Sequence, residues 1–586
     1  MEIEQVKLKG FRNYKNETIN FCNKTLIIGA NDVGKSNLLF ALRIILDKTI
    51  SEYALEPQDS DFFAYEETNE FSILIKFKDV CEDCIKSRLK GSISDKNELY
   101  LGYTAKRNPE THAKTYNFLI GSCEELLEKI EFRTYLRVLN LKYISSNRNL
   151  QSYIKKEKQN LLQEAREKRE EGEEEEDNKG IKEIEINLHK INEDITRLSF
   201  IKNATNSINK ELSDLSFHHI GHEAVFDVGA SDTSSFIDNI QLASRVNGKT
   251  LILGGDGRNN QIFLALWAAK NQIQDINPLE VSIYCIEEPE AHLHPHQQRK
   301  LAEYLSRTLN GQVVITTHSP QITAEFSPNS IVRLYCSKIE TKVANNGCAK
   351  IIESAFVEFG HRLNIIPAEA FFADVVFLVE GQSEVLFYKA LAKELKIDLD
   401  KLNISILMVA GIGFGTYVKL LSALEIPWVL RTDNDIIPIP KKTEFRFAGI
   451  QRVLKIFKTQ KITDKGMGKL IAGKEHLLKG FSENPPPKLN ITASQEFGEE
   501  LKKFNFFLSK KDLESDLLTS SLQTDFFKFL KVDNISDAIV IMGKRKATTM
   551  YHFLLENSEC LAKLGSNEII LPLNLCKKIV EENTNV

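Results

Sequence analysis

No stretch of this 586-residue sequence approaches the roughly 20 uncharged apolar residues that a membrane helix requires, so no membrane partner is expected. The opening MEIEQVKLKGFRNY lacks the basic-then-apolar pattern of a secretory signal, and a cytoplasmic protein is expected. A basic surplus, frequent in nucleic-acid binders, is also missing: the net charge is −5. That argues against a chain that coats DNA. It leaves room for a local basic groove beside an acidic metal site. There are nine cysteines, yet no second pair completes the CxxC of Cys81 and Cys84 into a zinc site. They are expected to be reduced structural or surface thiols.

What is present is an ordinary globular composition, 42% hydrophobic and 27% charged, in a chain long enough for several domains. The order is informative. Ile3, Val6 and Leu8, then Ile19 and Phe21, predict a strand, a turn and a strand. The apolar run Thr25 to Ile28 leads into a glycine loop and then a helix over 36–46. Residues 151–215 are charged and poor in aromatics, with an acidic run from Glu171 to Asp177. Beyond it Ile181, Ile184, Leu188, Ile191, Ile195 and Leu198 recur at steps of 3, 4, 3, 4 and 3, a heptad seam. Two helices joined by a solvated loop at the acidic run are expected. The seam suits either a dimerisation arm or a helix packed on the domain's own body.

Alternation of strand-like and helical runs resumes at 281–335 and again beyond Phe371. There the strand-like runs are 374–379, 404–409, 427–432, 504–508 and 538–542. Such alternation predicts a parallel sheet covered by helices. Residues 460–500, with Pro485, Pro486 and Pro487, are expected to be an irregular insertion. The fold class is therefore α/β.

Gly29 to Ser36 reads GANDVGKS, a match to GxxxxGK[ST] after an apolar strand and before a helix. Glycines let backbone N–H groups wrap phosphates, and the helix start adds positive partial charge. Lys35 would reach the outer phosphates and Ser36 would bind Mg²⁺. Candidate contacts on the loop are Gly29, Asn31, Gly34, Lys35, Ser36 and Asn37. An apolar strand from Ser282 ends in Glu287 and Glu288, within EEPEAHLHP. Glu287 is expected to hold the metal and Glu288 to activate the attacking water. The strand from Val313 ends in His318, a candidate sensor of the γ-phosphate. Gly255, Gly257 and Arg258, in GGDGR, precede a helix and could cap the γ-phosphate of a second chain's ATP. His292, His294 and His296 sit in a loop entering a helix, not on one strand face, so a zinc cluster is not expected.

The last block ends three strands in carboxylates. The first gives Glu380, then Gly381 and Glu384. The second gives Asp433 and Asp435 in TDND. The third is followed by Asp512, Glu514 and Asp516. In a parallel sheet the strand C-termini share one edge, so these carboxylates are expected in one crevice. So many cannot stay ionised together without cations, and Mg²⁺ or Mn²⁺ suits an all-oxygen set. Two such ions could clamp a phosphodiester. A lysine of the run Lys544-Arg545-Lys546 could offset transition-state charge.

Phosphate loop, glycine-rich signature, EEPEAHLHP and THSP in this order resemble the ABC-type ATPases of the SMC and OLD group. Phe11-Arg12-Asn13-Tyr14 is similar too. The strand-Glu-Gly, the element around Gly411, Gly413 and Gly415, and DxD resemble a Toprim domain. Together they resemble the OLD (overcoming lysogenization defect) family of ATPase–Toprim nucleases. Within it, GDGR, IEEPE, TDND and DLESDL look like the Gabija-type antiphage nucleases. The resemblance implies an ABC-type ATPase at 1–148 and 216–365, a helical dimerisation insertion at 149–215 and a Toprim domain at 366–586. It further implies ATP and Mg²⁺ as cofactors, DNA as substrate, Lys546 as the catalytic lysine with Lys544 close by, and a homodimer or larger assembly in antiphage defence. Either a helicase-type partner or, in a retron setting, a reverse transcriptase with its multicopy single-stranded DNA is implied. A non-catalytic ATP-gated DNA clamp is the alternative of another class. Glu287-Glu288 stands where the group has aspartate–glutamate more often, so ATP is expected to act more as a ligand than as a fuel.

Overall fold

A computed structural model describes residues 1–145, 169–215, 244–246, 249–251, 279–291, 293–308, 311–348, 368–409, 413–460 and 480–584, with isolated positions at 158–168, 224–225 and 468–478. The chain divides into two compact units, one of residues 1–146, 278–290 and 295–586, the other of 147–277 and 291–294.

The first unit opens with an antiparallel sheet. Its strands are β1 (Glu2–Phe11), β2 (Tyr14–Asn20), β4 (Glu70–Lys78), β5 (Leu99–Arg107), β6 (Lys114–Gly121) and β7 (Leu127–Ile130), in the order β2-β1-β4-β5-β6-β7. Ile3, Val6 and Leu8 are all buried although Ile3 and Val6 are three apart. A bulge between Ile3 and Gln5 restores the alternation, adding one residue so that both apolar side chains face inward.

The second sheet carries the phosphate loop. It comprises β3 (Lys24–Ile28), β8 (Leu139–Ile144), β11 (Val281–Glu287), β12 (Val313–Thr316), β13 (Ile331–Ser337) and β14 (Glu340–Val343), in the order β14-β13-β3-β12-β11-β8. All pairs are parallel except β13 with β14. Every residue of β12 is buried, as expected of a parallel strand covered on both faces. Glu287 pairs with Thr316, and Thr316 with Ile27, so the ends of β11, β12 and β3 share one edge.

The third sheet is β15 (Val375–Val379), β16 (Ile404–Met408), β17 (Trp428–Thr432) and β20 (Phe506–Leu508), ordered β16-β15-β17-β20 and wholly parallel. Leu378 pairs with Leu430 and Thr432 with Leu508, so Glu380, Asp433 and Ser509 leave neighbouring strand ends. A small antiparallel pair, β18 (Ile436–Pro438) and β19 (Phe445–Phe447), follows Asp435.

Two expectations are corrected in this unit. Residues 538–542 lie in the helix Ile535–Lys544, not in a strand. Ala538 and Met542 are buried while Val540 and Ile541 are exposed, a spacing that fits a helix and breaks period-two alternation. The Asn534 side chain also caps that helix at Asp537 N. The stretch 460–500 is not irregular at its end. Pro487 precedes the helix Lys488–Leu501, where a proline loses no intrahelical bond.

In the second unit the helices Glu171–Thr196 and Ser199–Leu215 follow one another, and β9 (Ser244–Val246) pairs with β10 (Lys249–Leu251). The acidic run is helix, not the solvated loop expected. Glutamate is a good helix former, and Glu170 with Glu173 closes a capping box where the helix start favours negative charge. Along the seam Ile184, Ile191 and Leu198 are exposed and Leu188 is buried. The helix expected before the acidic run falls largely outside the described residues, as do GGDGR at 254–258, His292, Gly411 and the domain boundaries at 148–149, 216 and 365–366.

Candidate functional site

At the nucleotide edge, β3 ends at Ile28 and the helix Lys35–Leu46 starts at Lys35. Gly34 has φ +105, and a Cβ there would come within 2.3 Å of the Asn13 amide, so only glycine fits. Lys35 is buried and folds back on its loop, donating to Gly29 O at 3.0 Å and Ala30 O at 2.7 Å. Burial presses its pKa down to about 8, against the pull of Glu288 and its acidic neighbours. Asn31 is exposed on the loop.

The Ser36 hydroxyl donates to Glu287, whose other oxygen accepts from Tyr143 at 2.5 Å. Sequence reasoning joined Ser36 and Glu287 through one metal, and the fold places them in contact. Glu288, at φ +43, lies 3.3 Å from His318 Nε2. Burial, then the Lys35 charge, holds the His318 imidazole below its usual pKa. Glu290 accepts from Thr317 Oγ1 and His318 N, both at 2.7 Å, and its burial raises its pKa. Asn37 sits differently from its expected place. Its side chain is shared between Arg12 and Asn13, each at 2.8 Å, on the side of the FRNY tract. That tract braces the loop: Tyr14 OH donates to Gly34 O at 2.9 Å, and Asn13 Nδ2 to Val33 O at 3.2 Å. The sequence signalled these supports only as a resemblance.

At the third sheet, Glu380 accepts from the Thr432 hydroxyl, from Asp433 N at 2.9 Å, and from Arg452. Arg452 also reaches Thr432 Oγ1 at 2.7 Å and Asp433 O at 3.2 Å. Ser509 donates to Asp433 at 3.1 Å. Burial, then the charge of Glu384, pushes the Asp433 carboxyl up to about 8. Glu384 is itself raised by burial, and one of its oxygens accepts from Gly381 N at 3.1 Å at the helix start. Asp435 is raised by burial and then by Asp512. Asn434, between the two aspartates, is buried and bonded to Ser494, so it does not face the carboxylates.

Behind β20, Lys546 bonds Glu514 at 2.7 Å and Asp512 at 3.2 Å, while Lys544 is exposed. Burial is the largest influence on Lys546 and works against its charge, but the bonds to Glu514 and Asp512 and the charges of both carboxylates together outweigh it and raise the pKa. Burial likewise opposes ionisation of Asp512, yet bonds from Ser515 and the Lys546 charge hold its pKa low. Asp516 stands apart. One oxygen is committed to buried Arg431 at 2.7 Å and the other to Lys510 N at 3.1 Å, which leaves it poorly placed for the metal expected there.

The donor set fits a hard divalent cation: ionisable carboxylates whose buried members crowd one another. Among the described residues no three acidic, histidine or cysteine side chains are already gathered as one ligand group. Arg452 on Glu380 and Lys546 on Asp512 and Glu514 each occupy carboxylate oxygens at this edge. Arg452 had no sequence signal, being one basic residue in an amphipathic helix.

The fold and these two edges define a phosphate-loop ATPase joined to a sheet with a carboxylate crevice. The family model of the AAA ATPase domain matches residues 1–323, and that of the overcoming lysogenization defect protein-like TOPRIM domain matches 371–435. Endonuclease GajA of Bacillus cereus is 25% identical over 542 residues, 89% of this chain and 90% of that protein. The OLD nuclease of Thermus scotoductus is 22% identical over 466 residues, 75% of this chain and 84% of that one. Among solved structures, an SMC head bound to a winged-helix domain of ScpA covers 58% of this chain and 97% of its own, at 15% identity and TM-score 0.35. The C-terminal region of the Burkholderia pseudomallei OLD protein covers 36% and 99%, at 19% identity and TM-score 0.24. The chain belongs to the OLD family, an AAA-type ATPase domain followed by a Toprim domain, and is similar to GajA.

Proposed function

We propose that this protein is an ATP-binding, Mg²⁺- or Mn²⁺-dependent DNA endonuclease acting in antiphage defence, its nucleotide state regulating Toprim cleavage. We assign the ATPase to 1–148 and 216–365, the dimerisation arm to 149–215 and the nuclease domain to 366–586. The exposed seam residues Ile184, Ile191 and Leu198 support a second copy as partner.

One observation carries the nuclease reading. Glu380 at the end of β15 is bonded to the backbone N–H of Asp433 at the end of β17. Two acidic groups 53 residues apart in the chain are thereby locked at one sheet edge. Glu380, Glu384, Asp433 and Asp435, with Asp512 and Glu514, would hold the metal. Bound Mg²⁺ or Mn²⁺ would supply an activated water and neutralise charge on the phosphodiester. The protein's own residues do the positioning. Thr432 and Asp433 N–H orient Glu380, Ser509 orients Asp433, and Lys546, held by Asp512 and Glu514, would offset charge growing on the phosphate. At the other edge Lys35 would turn from its loop carbonyls to the phosphates of ATP, and Ser36 with Glu287 would hold the nucleotide's Mg²⁺.

The test is cleavage of plasmid and linear DNA by the purified chain with Mg²⁺, Mn²⁺ or neither, each with and without ATP. Metal-dependent cutting is expected. No cutting under any of these conditions would leave an ATP-gated DNA clamp as the better reading.

A further inference from the structure

Beside the phosphate-loop strand lies a pair of thiols that neither nucleotide nor DNA chemistry uses. Cys22 precedes β3 and Cys348 follows β14. Their sulfurs are 3.6 Å apart, with the Cys348 thiol donating to Cys22.

The backbone holds this approach. Cys348 N donates to Asn20 O at 3.0 Å, and Asn20 forms a parallel bridge with Gly347. Gly347 has φ +96, and a Cβ there would meet Asn20 O at 2.6 Å, so this close crossing needs glycine. On the other side Thr25 Oγ1 accepts from Cys22 N at 3.0 Å and donates to Cys22 O at 2.9 Å. The same hydroxyl lies 3.7 Å from the Cys22 sulfur and 3.8 Å from that of Cys348. Both cysteines are partly buried, not sealed. The hydrogen bond from Cys348 is the main cause that pushes the Cys22 thiol down to about 7, against its burial. The more acidic partner is the one that would ionise first.

We propose that Cys22 and Cys348 form a peroxide-sensitive dithiol that closes reversibly to a disulfide, tying the entry of the phosphate-loop strand to the chain leaving β14. The Cys22 thiolate attacks one oxygen of hydrogen peroxide. An S–O bond forms, the O–O bond breaks, and hydroxide leaves to take up the thiol's proton as water. Cys348 then attacks the sulfenic sulfur. An S–S bond forms, the S–O bond breaks, and the hydroxyl departs with the Cys348 proton as a second water. Two thiols lose two electrons and one peroxide becomes two waters.

The full-length reduced protein is treated with equimolar hydrogen peroxide, blocked with N-ethylmaleimide and digested without reductant. The expected product is a joined peptide pair spanning Cys22 and Cys348, lighter by two hydrogens than the separate peptides and lost on dithiothreitol. In Cys348→Ser the Cys22 sulfenic acid should persist and be trapped by dimedone, with no joined peptide. A thiol count on the unsubstituted chain needs no variant to fold: it should fall by two from nine, at positions 22 and 348. Oxidation that begins at another cysteine, or Cys22 passing to sulfinic acid with no joined peptide, overturns the proposal.

Discussion

Arg333 donates to the backbone carbonyl of Glu425 at 3.0 Å and to that of Leu424 at 3.1 Å, from a side chain only 7% exposed. Its own backbone pairs with Ile28, the last residue before the phosphate loop. Glu425 leads within three residues into β17, whose end carries Asp433. Tyr335 OH, at 2.5 Å, and Asn345 N, at 3.0 Å, secure the Glu425 carboxylate from the same side. The strand beside the phosphate loop thus holds the root of the strand that ends in the acidic pair.

Arg333→Met should therefore do two things. Loss of two charge-assisted bonds at a buried site should lower stability by about 3 kcal/mol, read by urea unfolding. The ratio of cleavage rates with and without ATP should also move toward one, because the two edges lose a shared brace. Tyr335→Phe, losing one outer bond, should cost under about 1 kcal/mol. If Arg333→Met loses stability yet keeps the full ATP effect on cleavage, the contact is packing alone.

The two edges should separate cleanly by mutation. Glu380→Ala or Asp433→Ala should cut DNA cleavage by about a thousandfold while ATP affinity stays unchanged. Lys35→Ala should weaken ATP binding by at least about a hundredfold, near 3 kcal/mol, since the loop loses its one reaching cation. Cleavage assays and calorimetric ATP titrations on the same preparations decide this. Undiminished cutting in both acidic variants would end the metal assignment.

Lys546 and Lys544 are two residues apart; the family resemblance favours Lys546, and the fold sets the two lysines in different surroundings. Lys546 begins the helix Lys546–Asn557 and bonds Asp512 and Glu514, whereas Lys544 is exposed at the end of the preceding helix. Lys546→Met should reduce the cleavage rate constant by about a hundredfold or more. Lys544→Met should change it less than about twofold, as a surface substitution does. Equal losses would shift the role to the basic turn as a whole.

Much of this arrangement was legible beforehand because parallel strands declare themselves twice, as apolar runs and as the chemistry at their C-terminal ends. Val375–Val379, Ile404–Met408, Trp428–Thr432 and Phe506–Leu508 all lie where the apolar runs predict. The run 538–542 misled because five apolar-rich residues fit either period; exposed Val540 between buried Ala538 and Met542 rules out a strand face and leaves a helix. Asp516 could not be told from Asp512 and Glu514 by spacing. What separates them is buried Arg431, 85 residues away in sequence, which takes Asp516. Arg452 was invisible for a similar reason. A single arginine in a helix says nothing until the fold sets it on Glu380.

That arginine yields the last prediction. In this structure the Arg452 guanidinium bonds Glu380, with side chains 39% and 25% exposed. A metal that uses the Glu380 oxygen bonded by Arg452 must first displace this cation. A partly exposed pair of this kind is worth up to about 1 kcal/mol, so Arg452→Gln should tighten Mn²⁺ binding about fivefold in the absence of DNA. The free Mn²⁺ signal in an electron paramagnetic resonance titration measures it directly. Thr432 and Asp433 N–H would still hold Glu380 in place after the change, so the carboxylate keeps its direction. Weaker Mn²⁺ binding in Arg452→Gln would mean the opposite: the guanidinium sets Glu380 for the metal, and the two cations share the carboxylate instead of competing for it.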